Sequence, residues 1–312
     1  MASLTDRAHR ARIIFVIVAS VVPATFVGVL LVGYDYFTGE RTRLERDATA
    51  TTRALVAAVD RELTGTRAAL QVLATSPYLD SGNLAAFHAQ ASGVIKQQFL
   101  ISVLLISEDG RQLLNTARPF GDQLPSTGDP GGASRVFKTG DTVVSGLFTG
   151  RLTGAPVIGV TVPVVRQGKV RYALGASMSP ERLSTLLQES RLPPSWIVGI
   201  VDAKGTVVAR SREAQRFVGG QATTELRRRM GEVAEGAFYS RSLEGISTLT
   251  VFTRSPVSGW TVAMGIPERD LTTQLAYSLA RLFVIAFIVL AGAVVSAMLL
   301  ARRMFADRQP VS

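Results

Sequence analysis

A tight hairpin signal that occurs twice constrains the possible fold more than any other feature of the sequence. Residues 103–121 read VLLISEDGRQLLNTARPFG, in which two apolar runs flank the dipeptide Asp109-Gly110. Glycine accepts the positive φ angle that a two-residue turn demands, so this pattern predicts two antiparallel strands. About ninety-five residues later the pattern returns as IVGIVDAKGTVVARSR at residues 197–212, with Gly205 in the place of Gly110.

The segments that follow the two hairpins end alike. Aligning Gly110 with Gly205 also places Asn115 on Arg210, and a Pro-Glu-Arg sequence closes both segments, at residues 180–182 and 267–269. Internal similarity at a fixed period indicates a duplicated structural unit. We therefore predict an α+β fold with two tandem modules, each built on one hairpin.

Two runs of twenty residues without a charged side chain, at 13–32 and 282–301, predict helices that span a membrane. A helix of about 20 residues crosses roughly 30 Å of hydrocarbon. The alternatives are a cleaved signal peptide for the first run and a buried helix for the second. Arginines flank both runs on their outer sides, and positive residues stay cytoplasmic, so residues 1–12 and 302–312 are predicted to be cytoplasmic.

The charge balance is strongly basic, with a formal net charge of +10 over 312 residues. The arginines beside the two uncharged runs account for part of this excess, and the remaining basic residues are dispersed along the chain. We interpret the excess as a solvated surface, with no nucleic-acid partner, and leave open an anionic small-molecule ligand. The chain has no cysteine, so the region between the runs must be stabilised by core burial without disulfides.

Residues 33–76 predict one long helix. Between residues 38 and 76 there is no proline and there are only two glycines, Gly39 and Gly65, while apolar side chains recur mostly three, four or seven residues apart. Such a stripe favours a helix with one face packed on its own domain, or a parallel homodimer with a coiled-coil seam, and both can hold together. The stripe consists of Leu44, Ala48, Leu55, Val59, Leu63, Leu70 and Leu73.

The two modules are predicted at residues 77–192 and 193–281, separated at the sequence Leu192-Pro193-Pro194. Alternating apolar and polar runs predict three strands after each hairpin, and apolar residues at helical spacing predict helices over the sheets. The predicted strands are 142–148, 156–165 and 170–178 in the first module and 237–243, 247–254 and 260–266 in the second. The predicted helices are 83–98 and one near 222–230.

Residues suited to catalysis or metal binding are scarce. The chain has two histidines, His9 and His88, and cannot form the His/Cys clusters of zinc sites. A Ser–His–Asp triad would have to use His88, which is expected on a helix face. We therefore predict that the chain is not an enzyme and has no catalytic residues, no metal and no cofactor.

A binding pocket is the function that remains. Antiparallel sheets covered by helices on one face can hold a ligand on the other. In the first module, cationic and aromatic side chains cluster in loops and at strand ends, and guanidinium groups beside aromatic rings suit a carboxylate or another anion. The alternative is that these arginines only solvate loops. The candidate ligand-binding residues are Arg118, Phe120, Arg135, Phe137, Lys138, Phe148 and Arg151.

The sequence resembles the double Cache sensor region of bacterial transmembrane receptors, especially sensor histidine kinases. The resemblance covers residues 34–271 and both uncharged runs, and its most specific stretches are LLISEDGRQLLNTARPFGDQLP, PVIGVTVPVVRQGKVRYALGASMSPERL, WIVGIVDAKGTVVARSR and SPVSGWTVAMGIP. It implies two tandem PAS-like modules on a long N-terminal helix, flanked by two transmembrane helices, with the ligand usually in the first module and a parallel homodimer. It also implies a multi-pass protein of the bacterial inner membrane with a periplasmic or extracellular sensor region.

Two features depart from the family pattern. Members that bind amino acids carry an aspartate near the end of the first sheet, where this chain has Ser177, and this counts against an α-amino-acid ligand. Only about eleven residues follow the second uncharged run, so the chain is predicted to be either a receptor cut off before its transmitter or a free-standing subunit that signals through a cytoplasmic transmitter in trans. The sequence thus predicts the small-solute-binding input region of a two-component sensor histidine kinase. The alternatives are the input region of a diguanylate cyclase or a chemoreceptor, and a structural ectodomain without a ligand.

Overall fold

The computed structural model describes residues 2–98, 100–125 and 132–306. It divides the chain into two compact units, one of Asp47–Pro267 and one of Met1–Arg46 with Glu268–Ser312. Residues 126–131 lie outside the described part. The unit Asp47–Pro267 contains all of the described strands.

Two long helices begin and end the described chain. Helix α1 (Ala2–Ala74) has 73 residues and includes the helix predicted for 33–76, and helix α8 (Glu268–Ala306) has 39 residues. The two uncharged runs belong to these helices. Pro77 follows the end of α1 closely, because proline cannot donate the backbone hydrogen bond that would extend a helix.

The predicted membrane spans are not supported. Within the described ranges, no helix is both long enough and apolar enough to cross a lipid bilayer. On this finding the prediction of transmembrane helices at 13–32 and 282–301 is wrong, and so is the multi-pass inner-membrane localisation with both termini cytoplasmic.

The first sheet follows helices α2 (Pro77–Asp80) and α3 (Leu84–Gln98) and is entirely antiparallel. Its strands have the order β2-β1-β6-β5-β3, with β4 also paired to β5. Helix α4 lies between β2 and β3 in the chain, and α5 follows β6. The bounds are β1 (Leu100–Ile106), β2 (Gln112–Asn115), α4 (Gly132–Thr139), β3 (Val143–Val144), β4 (Phe148–Thr149), β5 (Pro156–Arg166), β6 (Lys169–Met178) and α5 (Pro180–Gln188).

The second sheet repeats the strand order of the first. Its strands run β8-β7-β11-β10-β9, so the N-terminal hairpin again lies at one edge and pairs with the last strand. Two short helices connect β8 to β9. The bounds are β7 (Ile197–Val201), β8 (Val207–Arg210), α6 (Ala214–Phe217), α7 (Thr224–Glu232), β9 (Glu235–Arg241), β10 (Ser247–Arg254) and β11 (Thr261–Pro267).

The two hairpins agree residue by residue. Asn115 pairs with Leu104 in the first sheet, and Arg210 pairs with Gly199 in the second, at the positions that the sequence alignment makes equivalent. Both hairpins have a register shift one residue before the strand end, in β1 and in β7, and both turns contain a glycine with positive φ. The register shift occurs at the same position in both hairpins because the two hairpins share one local sequence pattern.

The strand predicted at 142–148 divides into β3 and β4. Between them, Ser145 leaves the ladder: its backbone N–H donates to the Gly159 carbonyl at 2.8 Å, and its hydroxyl accepts from the Gly159 N–H at 2.8 Å. The next N–H groups turn toward the second sheet, where Leu147 N donates to Asp202 Oδ2 at 3.2 Å. The break therefore connects the edge of the first sheet to the first hairpin turn of the second.

From Ala48 to Leu73 the apolar stripe of helix α1 is buried within the chain itself, whereas Leu44 is half-buried. Residues from Ala48 to Leu73 that were predicted as the stripe have almost no exposed surface. One of the two alternatives drawn from the sequence, a helix face packed on its own domain, accounts for this burial. The homodimer stays a prediction, and the stripe on which it depended is already covered.

Helix α1 contacts elements of both sheets through polar side chains. On the side of the second sheet, the Arg53 guanidinium donates to both carboxylate oxygens of Glu235, at 2.7 and 2.6 Å, and holds the pKa of that carboxyl below its usual range. On the side of the first sheet, Arg182 Nη2 donates to Glu62 Oε1 at 2.9 Å. Further contacts join Thr52 to Thr253 at 2.9 Å, Ser255 to Asp60 at 2.6 Å and Thr66 to Met178 Sδ at 3.5 Å.

Candidate ligand-binding site

A cavity lies on the face of the first sheet opposite the buried core of β1. The cavity and its open mouth together span about 610 Å³, open solvent included. We call it the first-sheet pocket. It is lined by Ile101, Ser102, Leu104, Ile106, Gln112, Asn115, Ala117, Phe148, Gly150, Arg151, Leu152, Thr153, Val157, Gly159, Thr161, Gly175, Ala176 and Ser177.

The floor of the first-sheet pocket follows from strand alternation. Successive side chains of a strand point to opposite faces, so Ser102, Leu104 and Ile106 face the pocket while Val103 and Leu105 enter the core. Ser177 on β6 pairs directly with Ser102 on β1. The floor thus places two hydroxyl groups side by side among apolar side chains.

Glycines on the two central strands keep this floor open. Gly159 on β5 pairs with Ser177, and Gly175 on β6 pairs with both Thr161 and Leu104. A Cβ atom at Gly175 would lie 3.3 Å from Thr161 Oγ1 and 3.4 Å from Leu104 Cγ. The missing side chains therefore leave a concave surface where a ligand can approach the backbone closely.

Asn115 forms the polar edge of the pocket and is held in one orientation. Its Oδ1 accepts from the Ala117 N–H at 3.0 Å, and its Nδ2 donates to Gln112 Oε1 at 2.9 Å. The side chain is buried, so it cannot exchange these bonds freely with water. An amide fixed in this way offers a ligand a preset donor and acceptor pattern.

Phe148 and Arg151 form the opposite wall. Phe148 pairs with Val157 in the short β4–β5 ladder. The chain then makes a compact turn in which Gly150 N donates to the Ala155 carbonyl at 2.8 Å and Gly154 N donates to the Gly150 carbonyl at 2.8 Å. This turn carries Arg151 at the rim of the pocket. Among the described residues that line it, Arg151 is the one charged side chain, and none is Asp or Glu.

The other predicted site residues lie elsewhere. Arg118 and Phe120 are exposed beside helix α3, where the Arg118 carbonyl lies 2.9 Å from His88 Nε2 and the Phe120 ring centroid lies 5.9 Å from that of His88. Arg135 and Lys138 are exposed on helix α4, and Phe137 packs against the apolar cluster between α4 and the sheet. Of the seven candidates, the structure brings Phe148 and Arg151 together at the first-sheet pocket, and ligand contact stays a prediction for all seven.

The polar floor was not among the residues predicted to bind. The signal for it was present: Ser102, Gly159, Thr161, Gly175 and Ser177 interrupt otherwise apolar strands at every second position. Small or polar residues on one face of a buried strand indicate a cavity or a close approach. Within the described ranges, no group of three or more His, Asp or Glu side chains is arranged to hold a metal ion.

A comparison with protein families identifies the fold of this unit. The family model described as Cache domain matches residues 40–275, which is more than half of the chain and contains both sheets and the first-sheet pocket. The chain belongs to the Cache domain family. No curated protein matches the sequence significantly.

Several solved structures share the Cache fold at low sequence identity. The ligand-binding domain of the Pseudomonas fluorescens chemoreceptor CtaA with L-isoleucine is 12% identical and has a TM-score of 0.58, covering 76% of this chain and 98% of that chain. The sensory domain of the Campylobacter jejuni chemoreceptor CcmL with isoleucine is 15% identical and has a TM-score of 0.57, covering 76% and 97%. The extracellular domain of a protein named as the histidine kinase mmHK1S-Z3 is 11% identical and has a TM-score of 0.61, covering 76% and 97%.

These similarities establish the Cache fold of the chain. At this level of identity they say nothing about which ligand this Cache domain binds. Ligand preference has to be inferred from the chemistry of the first-sheet pocket.

Proposed function

We propose that this Cache domain is a sensor module that binds a small carboxylate in the first-sheet pocket. The observation that carries the proposal is the charge of the lining, with Arg151 as its one charged group in the described residues and with Ser102, Asn115, Thr161 and Ser177 around it. A guanidinium group can hold a carboxylate through two parallel hydrogen bonds. With no acidic group to pair an ammonium, the pocket favours an anion over a cation or a dipolar ion.

Thermal unfolding of the full chain against three matched solutes tests this proposal. Propionate, lactate and alanine share a three-carbon skeleton and differ in the second carbon's substituent. We expect propionate or lactate to stabilise the chain, since a ligand at 100 times its dissociation constant adds about 2.7 kcal/mol. Arg151→Gln should weaken binding by about 1.5–3 kcal/mol, the value of a hydrogen bond to a charged group.

Arg118→Gln is the matched control, because Arg118 was an equal candidate from the sequence but lies outside the pocket. Its unfolding profile and its response to ligand should equal those of the unchanged chain. Equal losses in both variants would show that the basic surface attracts anions in general, and would contradict a site at Arg151.

An α-amino acid is the second candidate ligand, and the structural neighbours in complex with L-isoleucine favour it. Among the described residues that line the pocket, an ammonium group would meet uncharged acceptors, such as the Ser102 and Ser177 hydroxyls and the Asn115 amide oxygen. We expect Ser177→Asp to place a carboxylate there and to shift the preference from propionate toward alanine. If the unchanged chain already binds alanine more tightly than propionate, the amino acid is the ligand and the carboxylate proposal fails.

The proposal includes transmission of the binding event to helix α1. Ser177 faces the pocket, and the next residue on the strand, Met178, faces the opposite side, where its sulfur accepts a hydrogen bond from Thr66 on α1 at 3.5 Å. The sheet is thus the only layer between ligand and helix at this point. Hydrogen exchange of residues 55–74 during the same titrations should change with bound ligand, and an unchanged pattern would argue against this route.

The sensor module would pass its signal to a transmitter domain. The relation to sensor regions supports the input role of a histidine kinase or, as an alternative, of a chemoreceptor or a diguanylate cyclase. A transmitter acting in trans and a parallel homodimer belong to this proposal as untested partners.

A further inference from the structure

The second sheet has a cavity at the place that corresponds to the first-sheet pocket. It encloses about 540 Å³, part of it open to solvent, and we call it the second-sheet pocket. Its floor includes Gly199 on β7, which pairs with Arg210 on β8 and with Ala263 on β11. In the first sheet the equivalent of Gly199 is Leu104, which pairs with Asn115 on β2 and with Gly175 on β6. The register that builds one pocket therefore builds the other.

Arg210 distinguishes the second-sheet pocket from the first. Its side chain is 5% exposed, and Nη2 donates to both carboxylate oxygens of Glu244, at 2.7 and 2.8 Å. The Phe217 ring covers one face of the guanidinium, with 4.3 Å from Cζ to the ring centroid. Nη1 is buried and has no hydrogen-bond partner among the described residues. One edge of a fixed, buried cation is thus left for a group outside the chain.

Burying such a donor is costly. An unsatisfied buried hydrogen-bonding group costs about 1–3 kcal/mol, and more when it is charged, so native structures rarely contain one without a reason. Glu244 does not satisfy it, because both of its hydrogen bonds with this guanidinium are made to Nη2. Arg241, which also lines the cavity, adds a second positive charge that Glu244 does not neutralise.

The remaining lining selects the kind of anion. Apolar side chains from β7, β8, α7 and β11 make up much of the wall, including Ile197, Val207, Leu226 and Ala263. A carboxylate that accepted from Arg210 Nη1 would have these side chains in the same cavity, available to its carbon chain. Apolar groups gain free energy from that contact in proportion to the area removed from water.

We infer that the second-sheet pocket is a separate site for a short-chain aliphatic carboxylate, held at Arg210 Nη1 with its carbon chain on Ile197 and Leu226. The site is distinct from the first-sheet pocket and does not depend on the function proposed for that pocket. Its cation is kept in place by Glu244. Burial acts most strongly on the pKa of Glu244 and raises it, but the Ser242 hydroxyl and the Arg210 charge together bring the pKa below its usual range.

Calorimetric titration of the full chain with butyrate tests this site, with butylamine as the cation of the same size. We expect butyrate to bind and butylamine not to bind. Gly199→Val should weaken butyrate binding at least tenfold by filling the pocket beside Arg210. A Cβ at Gly199 has the Ala209 carbonyl at 3.6 Å as its one close neighbour, an ordinary contact, so this variant should fold. Arg210→Gln should have the same effect on binding.

Arg151→Gln, in the first-sheet pocket, is the matched control and should leave one butyrate site intact. If butyrate fills both pockets, the unchanged chain binds two molecules and each variant binds one, which supports the inference. Loss of all binding in Arg151→Gln with no loss in Gly199→Val would place butyrate in the first-sheet pocket and overturn it. If butyrate does not bind to the unchanged chain, the inference is overturned as well. The test of the first-sheet pocket with propionate, lactate and alanine would not be affected by that result.

Discussion

Leu63→Asp is expected to lower the free energy of unfolding by about 4 kcal/mol or more, because it places an unpaired charge in the core. Leu63 is 2% exposed on the face of α1 that packs within the domain. Domains of ordinary size are stable by about 5–15 kcal/mol, so the variant should unfold in mild denaturant or fail to fold. Urea unfolding followed by circular dichroism measures the effect.

Val72→Asp is the matched control on the same helix. Val72 is 72% exposed, and a charge there should change stability by no more than about 0.5 kcal/mol. The pair also separates the two explanations of the apolar stripe. If Leu63→Asp keeps its unfolding midpoint and instead changes the sedimentation of the chain from dimer to monomer, the stripe is a dimer seam and its packing within the domain is wrong.

Asp202→Ala is expected to cost about 3 kcal/mol or more and to loosen the first-sheet pocket. Asp202 is 1% exposed; its Oδ1 accepts from Lys204 N and Thr206 N, both at 2.9 Å, and its Oδ2 accepts from Leu147 N at 3.2 Å. Each N–H left unsatisfied costs about 1–3 kcal/mol. Since Leu147 precedes Phe148 in the pocket wall, ligand affinity should fall by about 0.5–2 kcal/mol.

Asp202→Asn separates the two roles of this carboxylate. Its remaining oxygen can still serve the hairpin turn, while the new amide would place a donor against the Leu147 N–H. Affinity should therefore fall while stability drops less than in Asp202→Ala. Ser107→Ala, at the equivalent turn position of the first sheet, should leave both quantities nearly unchanged. Normal affinity in Asp202→Asn would show that this hydrogen bond does not position Phe148.

Gly146 gives an independent check on the same contact. A Cβ atom there would lie 2.4 Å from Asp202 Oδ2, a separation that real Cβ atoms do not show. The segment between β3 and β4 can approach Asp202 only because residue 146 is a glycine. The sequence pattern predicted one continuous strand here, since the partner that bends these residues lies 55 residues away in the chain.

Local signals predicted much of the fold. Two similar sheets were predicted from the Asp109-Gly110 turn, the Lys204-Gly205 turn and the Pro-Glu-Arg sequence that ends both segments. Each of these signals depends on residues next to one another in sequence. Asn115 and Arg210, which the sequence alignment makes equivalent, also occupy equivalent pairing positions in the two hairpins. Helix α1 followed from its apolar periodicity, although periodicity alone could not decide what covers that face.

The candidate site was harder to predict. Seven residues were selected as cations and aromatics near one another in sequence, and the pocket instead collects residues from five strands and a turn. Phe148 and Arg151 were found because they lie in that turn. Ser102 and Ser177 come together only through the pairing of β1 with β6, which no local pattern specifies.

The pairing of β1 with β6 also affects how the domain assembles. Hairpins β1–β2 and β5–β6 close over a few residues, whereas Leu104 meets Gly175 only after a loop of about seventy residues is closed, which carries the larger entropic cost. The β1–β6 ladder is therefore expected to form late, and it is the step that completes the pocket floor. A solute that binds only the completed floor stabilises the native state and not the transition state for folding. Such a solute should slow unfolding and leave the folding rate unchanged.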